Sequence, residues 1–306
     1  MVIRHATCGL AALLAAVGSR AAPAQTAPES TGRMSWWLFE PASTHGPPII
    51  SLFNVILYLT LAVCVGVFAV LAVFLVKYRH RPGRRAVYCH GNPKLEAFWT
   101  AVPAIILVLL AAVSQKSWST IKTPLATPSA TEVQSGEKVV LDVVGMQFKW
   151  FFHYPGADGI LGPLVPQKVN LNSKVIAEQI GLDRDHPGAA DDFCTDTMYI
   201  PVDKDVVFRL MSVDVLHSFW IPNFYLKQDA VPGLTKRLWL RATRTSAEIV
   251  GTEAGGRPKP FDIVCAELCG YGHYTMRGML FSVTPQQYET WYGQMVAQRE
   301  YELQDL

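Results

Sequence analysis

Near its C-terminus the chain reads Cys265-Ala-Glu267-Leu-Cys269-Gly-Tyr-Gly-His273-Tyr-Thr-Met276, and a second histidine lies upstream in Asp214-Val-Leu-His217-Ser-Phe. Thiolates, imidazoles and a thioether form a soft donor set, the kind that selects copper over hard cations. A mononuclear blue copper needs one cysteine, two histidines and a weak axial methionine. Here a second cysteine stands four positions after the first. It supplies a second thiolate, so two metal ions can share a pair of bridging sulfurs. Such a pair spreads one electron over both ions, and each bond changes little when the electron arrives. The reorganisation barrier is then low, and no proton has to follow.

Two plainer readings compete with copper. Cys265 and Cys269 could form a disulfide, which leaves the spacing of His273 and Met276 to chance. They could instead bind zinc, which takes four tetrahedral ligands and has little use for a thioether. The donor set favours copper over both.

The pattern C-x-E-x-C-x3-H-x2-M, with D-V-L-H-S-F upstream, resembles the binuclear CuA site of cytochrome c oxidase subunit II. The resemblance runs from about residue 35 to 290, membrane portion included. It implies that His217, Cys265, Glu267 (through its carbonyl), Cys269, His273 and Met276 are copper ligands. It also implies that the Glu267 side chain reaches a magnesium or manganese site shared with subunit I; a carboxylate suits such a hard ion. In that family a Q-W-x-W cluster over the copper site admits the electron from cytochrome c. Gln147 and Trp150 fit the pattern, but Phe148 stands where the usual tryptophan would be. The resemblance therefore assigns electron access to Phe148 and Trp150, with a purely structural aromatic cluster as the rival reading. It further places Asp214 on the surface that docks cytochrome c, where carboxylates steer a cationic partner. Glu96 falls where the family carries a carboxylate at the proton entrance of subunit I.

The rest of the chain must hold these groups. Its 306 residues are 50% hydrophobic and 17% charged, with a formal net charge of +2. That balance suits a membrane-anchored protein and offers no basic tract for nucleic acid. Residues 1–24 read as a secretory signal peptide: Arg4 and His5, an apolar run from Leu10 to Val17, then Ala22-Pro-Ala24. Cys8 would leave with that segment. Residues 25–122 read as a transmembrane hairpin with spans at about 49–76 and 97–118, each long enough for about 30 Å of hydrocarbon. Trp36, Trp37 and Phe39 form the expected interfacial aromatic belt. Cys64 reads as a packed thiol within the first span. Pro103 is tolerable inside the second, because neighbouring helices can satisfy the freed carbonyl.

Between the spans, Lys77, Arg79, Arg81, Arg84, Arg85 and Lys94 mark the cytoplasmic side. The β-rich part and both mature termini then lie in the periplasm of a bacterial inner membrane. Residues 123–136 read as a linker, 137–290 as the copper domain and 291–306 as a C-terminal tail. Val139–Val144, Val206–Met211, Lys236–Arg241 and Gly278–Val283 carry the β-branched and aromatic enrichment of strands. The expected fold is a two-helix transmembrane hairpin followed by an all-β, antiparallel cupredoxin-like sandwich, whose rigid sheets hold the metal-bearing loops. Residues 155–193 and 246–260 read as insertions on the surface, and His186 with Asp183 and Asp185 as a solvated loop. Cys89 and Cys194 read as free thiols.

The resemblance implies a redox subunit that takes electrons from cytochrome c and passes them to haem in subunit I, with subunit III and membrane lipid as further partners. Oxygen reduction and proton pumping would occur in that other chain. A copper-free structural role, as in quinol-oxidase subunit II, and a copper-handling membrane protein are the alternatives. The full ligand set weighs against the first, and the second predicts labile copper.

Overall fold

A computed structural model describes residues 38–85, 88, 90–123 and 127–304. Residues 1–24, expected to be a signal peptide, and Trp36, Trp37 and Cys89 lie outside the described residues. Two long helices come first, α1 (Gly46–Lys77) and α2 (Pro93–Lys122). Both are long and apolar enough to cross a membrane. At about 1.5 Å per residue each exceeds the hydrocarbon thickness, so their ends project beyond it. Asn92 caps α2 by accepting from the amides of Lys94 and Leu95, and Pro93 occupies the first turn where no donor is needed. The helix continues through Pro103. Apolar side chains of both helices are exposed, as a surface meant for lipid or other chains would be. Cys64 is among the exposed residues rather than packed.

The segment before α1 is part of the β domain. Ser43 Oγ donates to the Phe224 carbonyl at 2.6 Å, Tyr225 OH to the Phe39 carbonyl at 2.6 Å, and Arg244 pairs with Glu40 at 2.5 Å. The Phe39 ring packs edge-on against Trp220 with centroids 6.1 Å apart, so its first partner is protein and not the membrane interface. After α2 a single capped turn, α3 (Ala130–Gln134), closes the linker; Ser129 and Glu132 form its capping box.

Ten strands then build two five-stranded sheets. They are β1 (Lys138–Met146), β2 (Lys149–Tyr154), β3 (Phe193–Thr195), β4 (Thr197–Pro201), β5 (Asp205–Ser212), β6 (His217–Ile221), β7 (Leu226–Ala230), β8 (Lys236–Arg241), β9 (Phe261–Cys265) and β10 (Arg277–Val283). One sheet runs β3-β2-β1-β5-β8 and the other β4-β10-β9-β6-β7. The four strands expected from composition are β1, β5, β8 and β10. The pairing departs from a purely antiparallel sandwich: β1 lies parallel to β5, and β10 parallel to β4. The chain crosses to the second sheet at β4 and returns, so β5 enters beside β1 in the same direction. Inward residues alternate along the strands, as Val206, Phe208 and Leu210 do on β5. They meet Met198, Ile200, Phe219, Ile221, Phe261 and Ile263 of the opposite sheet in the main core.

The stretch 155–193 is more than a surface excursion. Its short helix α4 (Ile176–Gln179) and neighbouring turns bury Ala177, Ile180, Leu182 and Ala189 against Val144, Met146 and Phe151. This second apolar cluster covers the outer face of β1 and β2. The density of the aromatic run therefore has a structural cause, since β2 is buried on both faces: Trp150, Phe152 and Tyr154 enter the main core and Phe151 the outer one. His186 accepts from the Gly188 amide, and Lys168 engages both Asp183 and Asp185, so these groups serve the loop itself. Residues 246–260 begin with a capped turn, α5 (Ser246–Ile249), anchored by Ser246, which accepts from the Ser282 amide. The remainder is mostly exposed, as expected of an excursion. Cys194 is a free thiol pushed up to about 12 by burial.

The C-terminal tail is a helix, α6 (Pro285–Gln304). Its Tyr288, Trp291, Tyr292, Met295 and Val296 pack on the main core, and Trp291 stacks on Tyr199 at 4.5 Å.

Candidate metal centre

Three strand ends bring the donors together. His217 opens β6, Cys265 closes β9, and Met276 immediately precedes β10. Antiparallel pairing sets Arg277 opposite Val264, so the loop from Cys265 to Met276 is pinned at both ends. The Cys265 amide donates to the Met276 carbonyl at 3.2 Å, and the Ala266 amide to Ser218 at 2.9 Å. The β6–β9 pairing then places His217 beside the same end.

The two sulfurs lie 3.8 Å apart. That is well beyond a disulfide bond of about 2.05 Å, and both cysteines are free. His217 Nδ1 is 3.9 Å from Cys265 Sγ, and His273 Nδ1 is 3.5 Å from Cys269 Sγ. Met276 Sδ lies 3.8 Å from Cys269 Sγ, and the Glu267 carbonyl 3.2 Å from Cys265 Sγ. One imidazole and one further donor thus attend each thiol. His217, Cys265 and Cys269 present ligand atoms within 4.8 Å of one another. A metal about 2.3 Å from each sulfur fits between them. Soft atoms turned towards one another, rather than towards hydroxyls or amides, suit copper. Burial and the neighbouring Cys265 push the Cys269 thiol up to about 11, so metal uptake must displace protons.

The surroundings fix the donors. His217 is fully buried and donates through Nε2 to Asp214 Oδ1 at 2.8 Å, which leaves Nδ1 to face the sulfurs. Asp214 also accepts from the amides of Gln147 at 2.7 Å and Val215 at 2.6 Å. Burial alone would raise this carboxyl, but the His217, Gln147 and Val215 hydrogen bonds outweigh it and hold it below its usual range. Asp214 was expected on a docking surface; its side chain is only 15% exposed and its oxygens are committed to orienting His217. Gln147 Nε2 donates to the Cys269 carbonyl at 2.6 Å, tying the β1–β2 turn to the thiol loop.

Two glycines mark close packing around the site. A Cβ at Gly145 would lie 3.0 Å from both His217 and Trp150, and one at Gly272 would lie 2.5 Å from the Phe148 ring. Trp150 is 1% exposed beneath the site, with His217 5.9 Å and Phe219 5.3 Å from its ring centre. No partner protein can touch it, so of the two aromatics expected to receive an electron only Phe148, half-buried above the thiol loop, is accessible. The Glu267 carboxylate is exposed and available to another chain. Glu96 lies apart, exposed in the first turn of α2, where the helix dipole favours a negative charge. Sequence reasoning missed the tie from Asp214 to His217, although a carboxylate three positions before a ligand histidine was a usable signal.

A family model described as cytochrome c oxidase subunit II, transmembrane domain, matches residues 33–116, and one described as its periplasmic domain matches residues 139–283. The chain belongs to the cytochrome c oxidase subunit II family. The alternative cytochrome c oxidase subunit 2 of Bradyrhizobium diazoefficiens is 32% identical over 261 residues, 85% of this chain and 84% of that relative. Cytochrome c oxidase subunit 2 of Thermostichus vulcanus is 30% identical over 297 residues, 82% of this chain and 76% of the relative. The crystal structure of the periplasmic domain of subunit II of cytochrome oxidase of Bradyrhizobium japonicum aligns at 21% identity and TM-score 0.35, covering 52% of this chain and 94% of that one. As a subunit II, the chain is a component of an oxidoreductase complex, with two apolar helices preceding a periplasmic cupredoxin-like domain.

Within this subunit II, Met276 Sδ lies against Cys269 Sγ and would be a weak donor to a metal held by that thiol. Met276→Leu should keep copper bound. Loss of a donor destabilises the oxidised metal more than the reduced one, so the potential should rise by tens of millivolts, about 59 mV per tenfold change in relative binding. Redox titration of the copper absorption checks this; an unchanged potential removes Met276 from the donor set.

Proposed function

We propose that this chain is the electron-accepting subunit of a haem-copper cytochrome c oxidase, binding two copper ions in a CuA centre. When bound, the copper pair supplies a one-electron store shared across both ions. Cys265 and Cys269 would hold both ions between them, with His217 and the Glu267 carbonyl on one side and His273 and Met276 on the other. The observation that carries this reading is the 3.8 Å separation of two free thiols, each attended by one imidazole and one further donor. Asp214 fixes the His217 tautomer, Gln147 fixes the thiol loop, and the buried wall of Trp150 and Phe219 keeps water from one side.

Electrons come from cytochrome c and pass to haem in subunit I, where oxygen reduction and proton pumping occur. Subunit III and inner-membrane lipid complete the surroundings of the helices. The exposed Glu267 carboxylate would help hold magnesium or manganese at the boundary with subunit I. Asp214 adds negative charge near the face that meets cytochrome c. The cationic loop between α1 and α2 faces the cytoplasm, and the β domain and both mature termini face the periplasm after removal of residues 1–24. Metal analysis and electron paramagnetic resonance on the purified complex test the assignment. Two coppers per chain with one electron delocalised over both is the expected result; a single-copper hyperfine pattern, or zinc, overturns it.

Glu96, at the cytoplasmic start of α2, would admit protons to subunit I. Glu96→Ala should slow haem reduction in the intact complex by about tenfold, a barrier rise of about 1.4 kcal/mol, with the copper spectrum unchanged. Time-resolved haem absorbance reads the effect, and unaltered kinetics discard the role.

A further inference from the structure

Electron access is incomplete if it rests on Phe148 alone. Its ring lies flat on the thiol loop: an added Cβ would meet it at 2.5 Å from Gly272 and 3.2 Å from Gly270. It is half-buried, and Trp150 is sealed beneath. Two tyrosines of the thiol loop stand in solvent, Tyr271 and Tyr274, and the Tyr271 ring is the one that packs on Phe148. Tyr271 is 94% exposed, and its ring meets Phe148 edge to face with centroids 5.1 Å apart.

Tyr271 also stands midway between two ligands, two residues after Cys269 and two before His273. A short run of covalent bonds therefore joins it to each side of the metal centre. A second route crosses from its ring to Phe148, then to Gln147, which donates to the Cys269 carbonyl at 2.6 Å. Tunnelling falls steeply with distance and more slowly through bonded atoms, so the outermost atom of such a route is where a donor gains most by touching. An amphipathic ring held clear of its own protein and supported by a second ring suits an interface anchor, where tyrosine is enriched.

We propose that Tyr271 is the landing residue for the electron donor: a small c-type cytochrome presses its exposed haem edge against this ring, and Phe148 serves as the ring's support. The proposal rests on the CuA reading above and names the contact through which that centre is filled. In the step, ferrous haem of the donor becomes ferric and the copper pair gains one electron. The phenol is neither oxidised nor deprotonated; it only couples the two redox groups. The contact is apolar and aromatic, so the partner's haem rim is apolar where it touches.

The test uses the intact oxidase with reduced cytochrome c in stopped flow, comparing Tyr271→Ala, Tyr271→Phe and wild type. Tyr271→Ala should lower the second-order rate of copper reduction about tenfold, the effect of truncating an interface anchor. It should also lower the first-order rate within the saturated cytochrome complex, which a merely structural side chain would not change. Tyr271→Phe should restore both rates. The copper resonance and the subsequent copper-to-haem transfer should be the same in all three proteins. Undiminished reduction of Tyr271→Ala, or a loss that Tyr271→Phe does not restore, overturns the proposal. If wild type holds no coupled copper pair, it is the CuA reading itself that fails, and the resonance spectrum shows this before any kinetics are run.

Discussion

Cys269→Ser should reduce the copper content from two ions per chain to one at most, abolish the shared-electron resonance and cut turnover with cytochrome c by at least about a hundredfold. Disturbing groups that merely support a metal ligand already costs about 10–100-fold, so loss of a bridging ligand sets a higher floor. Cys269 is the hub of the site, with Cys265 Sγ at 3.8 Å, His273 Nδ1 at 3.5 Å and Met276 Sδ at 3.8 Å. Serine replaces a soft thiolate by a hard hydroxyl that stays protonated at neutral pH. Cys269 is buried at the edge of the core, but serine has nearly the same shape, so the domain should still fold.

The two cysteines are not equivalent, and that sharpens the test. Without Cys269, the remaining thiol keeps His217 and the Glu267 carbonyl as neighbours. Without Cys265, the remaining thiol keeps His273 and Met276. Any single copper held by Cys265→Ser should therefore show a His–Cys–Met environment, and one held by Cys269→Ser should lack the thioether. Elemental analysis and paramagnetic resonance distinguish the two. Two coppers and an unaltered spectrum in either variant would end the bridging assignment.

The candidate metal donors were readable because five of the six share a single loop, and loop spacing is written directly in the chain. The strand at Lys236–Arg241 and those at β1, β5 and β10 were equally visible, since each carries its own apolar or β-branched signature. What the sequence hid were relations between distant segments. The parallel pairing of β1 with β5 joins Asp142 to Arg209 across the intervening insertion and three strands. Residues 155–193 looked like solvated loop because they are rich in Gly, Pro, Asp and Asn, yet Ala177, Ile180, Leu182 and Ala189 suffice to cover Val144 and Phe151. The excess of aromatics in β2 was the clue, because a strand open to water on one face has no use for them. Helix α6 carried its own signal in Thr284 and Gln287, which cap each other's amides, and in Tyr288, Trp291, Tyr292 and Met295 at helical spacing.

His153→Gln should destabilise the protein by about 3–5 kcal/mol, the cost of breaking a buried charged network by removing one partner. His153 on β2, Asp142 on β1 and Asp192 at the end of the insertion are all completely buried. The imidazole contacts Asp142 at 2.8 Å through Nδ1 and Asp192 at 2.6 Å through Nε2. Arg209 forks onto Asp142 at 2.5 and 2.8 Å, and Asp192 accepts from the amides of Gly156 and Gly162. Two carboxylates, one guanidinium and one imidazolium sum to zero charge, whereas glutamine leaves an uncompensated negative charge in the interior. Burial alone would lower the His153 value, but the hydrogen bonds it donates to Asp142 and Asp192 outweigh it and raise it. Burial would raise Asp142, but His153 and Arg209 outweigh it and lower it. The histidine contribution is therefore complete below the unfolded value of about 6.5 and lost as pH rises through the higher folded one. The aspartate contribution is complete above about 3.9 and lost as pH falls. Wild type should lose stability as pH climbs from about 6.5, and His153→Gln should be flat over the same range. Thermal unfolding of the purified protein across that range checks both, and a substitution costing under about 1 kcal/mol with an unchanged pH profile would show that the histidine is not charged in the fold. The network clamps β1 to β2 and to the insertion, and Gln147 and Phe148 lie at the far end of that hairpin. A His153→Gln protein that still folds should therefore retain its copper spectrum, separating the stability of the scaffold from the chemistry it carries.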